Sequence, residues 1–191
     1  SHALFKSFND LYGLAMTKAL QGRIEQDENN YRDAWNLLRE AQEDFLSLSD
    51  RRMAAVTLGW LGAVADQWGQ PARARMCWEQ ALDSFERTKD GPMIALSKIR
   101  LASLDAQDGH WRSAGQLLLD ALSQRRVDPL QEVAWSEAMV RMAKEAIMAN
   151  RQALARDLLR RAHKRLADIG NESFVYDHVE EIAHLLYQLE S

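Results

Sequence analysis

Apolar positions recur three and four residues apart along almost the whole chain, the spacing that gathers them on one face of an α-helix. In the first segment Phe5, Phe8, Tyr12, Ala15 and Ala19 follow this rule, and a helix is predicted from about Leu4 to Gln26, where the polar cluster Asp27–Asn30 interrupts it. Further helices are predicted from Tyr31 to about Leu48, Met53 to Trp68, Pro71 to near Lys89, and Pro92 to near Gly109. Four more follow: Trp111 to about Arg125, from behind Asp128-Pro129 to about Ala149, Gln152 to Ile169, and about Glu172 to Leu189. No segment alternates apolar and polar residues for long, so no strand is predicted. Pro71, Pro92 and Pro129 all fall where a helix would begin, the turn in which a missing N–H costs nothing. Asp128 reads as an N-cap, Gly170 as a left-handed stop, and Asn171 as a helix cap rather than a glycosylation acceptor. The connections are short, so consecutive helices should run antiparallel.

A motif returns along this helical pattern. Asn29-x-Tyr31-x-x-Ala34-x-x-x-Leu38-x-x-Ala41 is echoed by Gly69-x-Pro71-x-x-Ala74-x-x-x-Trp78-x-x-Ala81, then by Gly109-x-Trp111-x-x-Ala114-x-x-x-Leu118-x-x-Ala121. A weaker copy follows in Asn150-x-Gln152-x-x-Ala155-x-x-x-Leu159-x-x-Ala162, and the successive intervals are 40, 40 and 41 residues. A fixed period of this length predicts stacked hairpins, each burying its apolar face on the next. The two alanines of each copy lie seven residues apart, on one helical face, where a neighbouring backbone can approach closely. Gly22, Gly62, Ala102 and Ala143 recur on the preceding helices, and a large side chain there would overpack the contact.

These residues resemble the tetratricopeptide repeat. Leu61-Gly62 and Leu101-Ala102 match its first-helix pair, and Gly69-x-Pro71-x-x-Ala74 and Gly109-x-Trp111-x-x-Ala114 match its turn and second helix. The period is longer than the family's ~34 residues, and the family's proline near the repeat end is missing. Second helices about one and a half turns longer account for both departures. Such long repeats are similar to those of bacterial signal-responsive activators of the maltose-activator type. The resemblance implies an all-α, right-handed solenoid of antiparallel hairpins with about nine helices. It would form a single superhelical domain over 1–191, with repeats at about 15–50, 55–90, 95–128 and 136–170 and a final helix over 172–189. Ser1-His2 reads as a tag remnant, so a piece of a larger protein is expected.

The family binds along the wall of its first helices. Carried over, that wall comprises Met16, Ala19, Leu20, Arg23, Val56, Gly59, Trp60, Ala63, Leu96, Ile99, Arg100, Ser103, Glu137, Val140, Arg141 and Lys144. The Lys and Asn of the family's carboxylate clamp are absent from it. Arg23, Trp60, Arg100, Arg141 and Lys144 are the candidate peptide-binding residues, because an aromatic anchor beside guanidiniums suits an acidic or carboxylate-bearing peptide. The bland alternative is that Trp60 simply packs against the neighbouring hairpin.

Composition narrows the function further. Net charge is −4, which disfavours nucleic acid as a direct ligand. No apolar run approaches the ~18 residues of a membrane span. The single cysteine, Cys77, excludes an intrachain disulfide and suits a reducing cytosol, and it reads as a small core residue. Glu181-x-x-His184 places a carboxylate and an imidazole on one helical face, yet a lone pair of this kind is weak evidence for a metal, and none is expected. With no phosphate loop, nucleophile elbow or catalytic constellation, neither an enzyme nor a cofactor is predicted. The expected function is a cytoplasmic protein- or peptide-binding or signal-sensing module of a larger bacterial regulator, acting in signalling or transcription regulation. The alternative is an architectural solenoid that self-associates through its ends. The segment Glu25–Asp50 carries a charge of −6 and Arg151–Gly170 one of +4, which favours either a solvated outer face or attraction between ends.

Overall fold

The structure, a computed structural model, describes residues 2–122, 129–169 and 173–190. The described residues form nine helices and no strand: α1 (His2–Asp27), α2 (Tyr31–Ser47), α3 (Arg51–Gln67), α4 (Pro71–Thr88), α5 (Gly91–Gln107), α6 (Trp111–Leu122), α7 (Pro129–Met148), α8 (Gln152–Ala167) and α9 (Ser173–Glu190). The predicted helices are all present, with ends displaced by a residue or two. α3 starts at Arg51 rather than Met53 because the Asp50 carboxylate accepts from the Met53 N–H at 2.9 Å, which makes Asp50 the N-cap. The predicted extension of α6 to Arg125 and the caps Asp128, Gly170 and Asn171 lie outside the described residues.

Sequential helices pair as α1 with α2, α3 with α4, α5 with α6 and α7 with α8. The chain falls into two compact units, Ser1–Asp90 with α1–α4 and Gly91–Ser191 with α5–α9. In the first unit, α3 of the second hairpin packs mainly on α2 of the first. In the second unit, α7 packs on α5, and α9 packs on α8.

The turn inside every hairpin has one form, and the repeated motif explains it. Asn29, Gly69, Gly109 and Asn150, the first residue of each copy, are in the left-handed region at φ 63°, 73°, 78° and 56°. That conformation folds the chain back so that two N–H groups reach carbonyls left open at the end of the first helix. Asn30, Gln70, His110 and Arg151 donate to the carbonyls of Glu25, Ala65, Asp105 and Ala146 at 2.7–2.8 Å. Asn29, Gly69, Gly109 and Asn150 themselves donate to Gln26, Asp66, Ala106 and Ile147 at 2.9–3.1 Å. Gly and Asn are the residues that tolerate this φ at least cost, which is why only they occupy the position.

Behind the turns, the small residues close the hairpins. All eight motif alanines, from Ala34 and Ala41 to Ala155 and Ala162, have no exposed surface. A Cβ added at Gly22 would come within 2.8 Å of Leu38 Cγ and 3.2 Å of the Ala34 carbonyl oxygen. At Gly62 the same atom would meet the Trp78 indole, 2.7 Å from Nε1 and 2.9 Å from Cδ1. In these two hairpins Leu38 and Trp78, the bulky residues between the alanines, therefore occupy the volume a side chain would need on the facing helix. Ala102 and Ala143 hold the matching positions in the second unit and are fully buried.

Polar contacts tie the hairpins further. Lys18 reaches from α1 to Asp44 at 2.8 Å and Glu40 at 3.4 Å on α2, and the hydrogen bond to Asp44 is the main reason its pKa is raised. The Arg73 guanidinium lies 5.5 Å from the Trp35 ring, joining α4 to α2, and Arg151 lies 5.0 Å from Trp111. At exposed sites such stacking contributes about 0.5–1 kcal/mol. In the second unit Arg165 on α8 donates to Glu132 on α7 at 2.6 Å and covers the ring of buried Trp135 at 4.7 Å.

Two outcomes are expected from this packing. Gly62→Ala should destabilise the fold by about 1–2 kcal/mol in urea denaturation, because overpacking against Trp78 exceeds the gain in helix propensity. Cys77 is 3% exposed, and burial pushes its thiol from 9.0 up to about 11. Its share of stability is complete below pH 9 and is lost as pH rises through about 11, since ionisation then favours the unfolded chain. Denaturant midpoints measured across that range should fall less steeply in Cys77→Ala than in the unaltered chain.

Candidate functional site

The first helices of the hairpins carry the candidate residues at repeating positions. Leu20, Trp60, Arg100 and Arg141 occupy one register position, and Arg23, Ala63, Ser103 and Lys144 the position three residues on. Arg23 and Trp60 belong to the first unit and Arg100, Arg141 and Lys144 to the second, so each set is a site by itself.

In the first unit the Arg23 guanidinium lies 5.5 Å from the Trp60 ring centroid. Trp60 is half-buried and packs partly against the core of α1–α4. Leu20 and Ile24 on α1 are 54% and 56% exposed, which leaves apolar surface on the helix that supplies Arg23. The arrangement is an aromatic face, a cation and exposed aliphatic carbon on two packed helices.

In the second unit α5 and α7 pack directly, and α9 contributes the third side of a charged cluster. Arg100 is buried to 13% side-chain exposure, with its guanidinium 3.7 Å from the Glu137 carboxylate. The other Glu137 oxygen lies 3.5 Å from His178 Nε2 on α9. Lys144 reaches Glu181 on α9 at 2.6 Å. Burial lowers the pKa of Arg100, offset in part by Glu137, and lowers that of half-buried Arg141, offset in part by Glu145. Both guanidiniums thus hold their charge in surroundings poor in water, where a hydrogen bond to an anion is stronger than at the surface.

Two buried polar atoms on one turn of α5 have no hydrogen-bond partner: Arg100 Nε and Ser103 Oγ. Buried Thr57 donates to the Met53 carbonyl at 2.8 Å, Ser97 to the Met93 carbonyl at 2.9 Å, and Ser136 to the Ala162 carbonyl of α8 at 3.5 Å. Ser103 does not follow them, although it is only 2% exposed. A buried donor left without an acceptor costs about 1–3 kcal/mol.

Several wall positions carried over from the repeat resemblance face elsewhere. Ala19, Gly59, Ile99 and Val140 are buried. Each lies three residues before the small seam residue of its helix, which turns it toward the paired helix instead of outward. The part played by α9 escaped the sequence reading, which weighed Glu181 as half of a metal motif with His184. Glu181 instead accepts from Lys144, and His184 Nε2 lies 2.9 Å from Gln188 Nε2. The repeat period gives the register of Glu181 but not its partner: it comes forty residues after Arg141, as the fifth member of the series.

No protein-family model matches the chain, and the search for similar curated proteins finds no match.

Glu137 compensates the buried charge of Arg100, so Glu137→Gln should destabilise the second unit by about 1–2 kcal/mol, below a fully buried pair because Glu137 is partly solvated. Adding Arg100→Met should recover most of that loss in thermal or urea unfolding.

Proposed function

We propose that this protein is a recognition scaffold that binds an acidic or carboxylate-bearing peptide along the first helices of its hairpins. The observation that carries this reading is the turn of α5 on which Arg100 Nε and Ser103 Oγ are buried without partners, with Arg141 at the matching position of packed helix α7. A carboxylate accepts from a guanidinium N–H and a hydroxyl together, and each charge-assisted bond contributes about 1.5–3 kcal/mol. Lys144, paired with Glu181, adds a second cation that a competing carboxylate can draw away. Arg23 over Trp60 offers a separate anchor of mixed aromatic and cationic character in the first unit.

The resemblance of the motif to tetratricopeptide repeats supports a scaffold rather than an enzyme. Its long period supports a signal-sensing role within a cytoplasmic regulator of signalling or transcription. No helix among the described residues is long and apolar enough to cross a membrane.

Titration calorimetry with hexaglutamate as the probe tests the reading. Binding should be measurable below about 1 mM, weaken at least ~10-fold in Arg100→Met and in Arg141→Met, and weaken steeply with salt. Equal heats for the unaltered chain and a folded Arg100→Met/Arg141→Met double variant would refute it.

A further inference from the structure

The second unit holds two helical hairpins that meet where α5 packs on α7. Each hairpin is tied within itself. Arg165 of α8 donates to Glu132 of α7 at 2.6 Å, and Ser136 of α7 donates to the Ala162 carbonyl of α8 at 3.5 Å. Between α5 and α6, Ala102, Ala114 and Ala121 close the seam without exposed surface.

The contact between the hairpins is different in kind. Arg100 turns from α5 toward Glu137 of α7 but stops at 3.7 Å, beyond hydrogen-bond length, and its Nε is buried without a partner. Ser103, one turn on along the same side of α5, buries its hydroxyl unpaired. On α7 the buried Trp135 Nε1 is unpaired as well. Glu137 is divided, since its other oxygen lies 3.5 Å from His178 of α9. Closing α5 on α7 therefore takes water from these groups and returns few hydrogen bonds. A network satisfied only in part resists separation less than an apolar contact of the same size. The apolar cluster of this unit includes Met139 and Met142 of α7, whose unbranched side chains can repack as their neighbours move.

We propose that the second unit opens between α5 and α7 in its native state, the α5–α6 and α7–α8 hairpins parting as bodies while their own seams stay shut. Such an opening is sub-global: it exposes the Arg100–Ser103 turn without unfolding either hairpin. Ser103 is 2% exposed and the Arg100 side chain 13%, so a solute meets this turn only when the hairpins part. An anion that binds there has to wait for the opening or to hold it open, which makes the α5–α7 contact a gate on the turn. The opening itself does not depend on peptide binding.

Thiol labelling tests the proposal without a ligand. In a Cys77→Ala background, Ser103→Cys puts a thiol on the α5–α7 contact, and Ser136→Cys puts one on α7 against α8. Both positions are closed to solvent, at 2% and 1% exposure, and both substitutions nearly conserve shape. Without urea, Ser103→Cys should react with dithionitrobenzoate at least ~10-fold faster than Ser136→Cys, at a rate that barely changes with urea below the unfolding transition. Ser136→Cys should react through global unfolding, its rate rising steeply with urea. If one variant lowers the urea midpoint, the two are compared at equal global stability. Adding Arg100→Met and Glu137→Leu replaces the half-paired charges with apolar carbon and should slow labelling of Ser103→Cys at least ~5-fold. Equal rates with the same urea dependence for the two thiols overturn the proposal. So does labelling of Ser103→Cys that the added Arg100→Met and Glu137→Leu leave unchanged. Fast labelling of Ser103→Cys in a chain that gives no heat with hexaglutamate supports the opening and sinks the peptide reading alone.

Discussion

The fold depends on one contact made again in each repeat: a bulky side chain on a second helix lowered onto a position of the first helix that carries almost nothing. Leu38 over Gly22 and Trp78 over Gly62 show how little room there is, since a single added carbon would fall inside van der Waals distance. The flanking alanines, all without exposed surface, let the helices close around that contact. Because burial stabilises by about 25 cal/mol per Å² of apolar surface, the many small areas sealed along these seams contribute more than any one ion pair on the outside.

The turn chemistry serves the same contact. A left-handed residue at the head of each motif copy reverses the chain within three residues and satisfies two carbonyls that would otherwise be open. The second helix then starts at a set height against the first, which places alanine, bulky residue and alanine opposite the small position. Turn, seam and period are one constraint seen at three scales. The outward faces of the first helices stay free to carry chemistry. That is where the desolvated Arg100 and the aromatic face of Trp60 stand.

Much of this was legible in the residues. The spacing of Ala34, Leu38 and Ala41 and its returns announce the hairpins, because a helical face and a fixed period are local properties of sequence. The residue that turns left-handed inside each hairpin recurs as Gly or Asn at a near-constant interval, whereas the left-handed Ser49 and Lys89 between helices carry no such mark. Other features depend on tertiary placement. Ile99 and Val140, carried over as wall positions, turn into the seam instead, since the one-residue step from Arg100 or Arg141 rotates a helix by ~100°. The pairing of Lys144 with Glu181 and the closeness of Glu137 to His178 join α7 to α9, and local spacing does not reveal which carboxylate a given cation will meet. Nor does sequence show that Arg100 Nε and Ser103 Oγ are left without partners, since that depends on every neighbouring acceptor. The division into two compact units likewise has no mark in the period, which runs through Asp90 and Gly91 unchanged.

Amide hydrogen exchange, resolved by residue, tests the seam account most directly, because protection reports which hydrogen bonds open only when packed structure opens. The slowest amides should belong to Ala34, Ala41, Ala74, Ala81, Ala114, Ala121, Ala155 and Ala162 and to the small residues facing them, in each repeat alike. Protection spread evenly over inner and outer helix faces, or concentrated away from these positions, would contradict it.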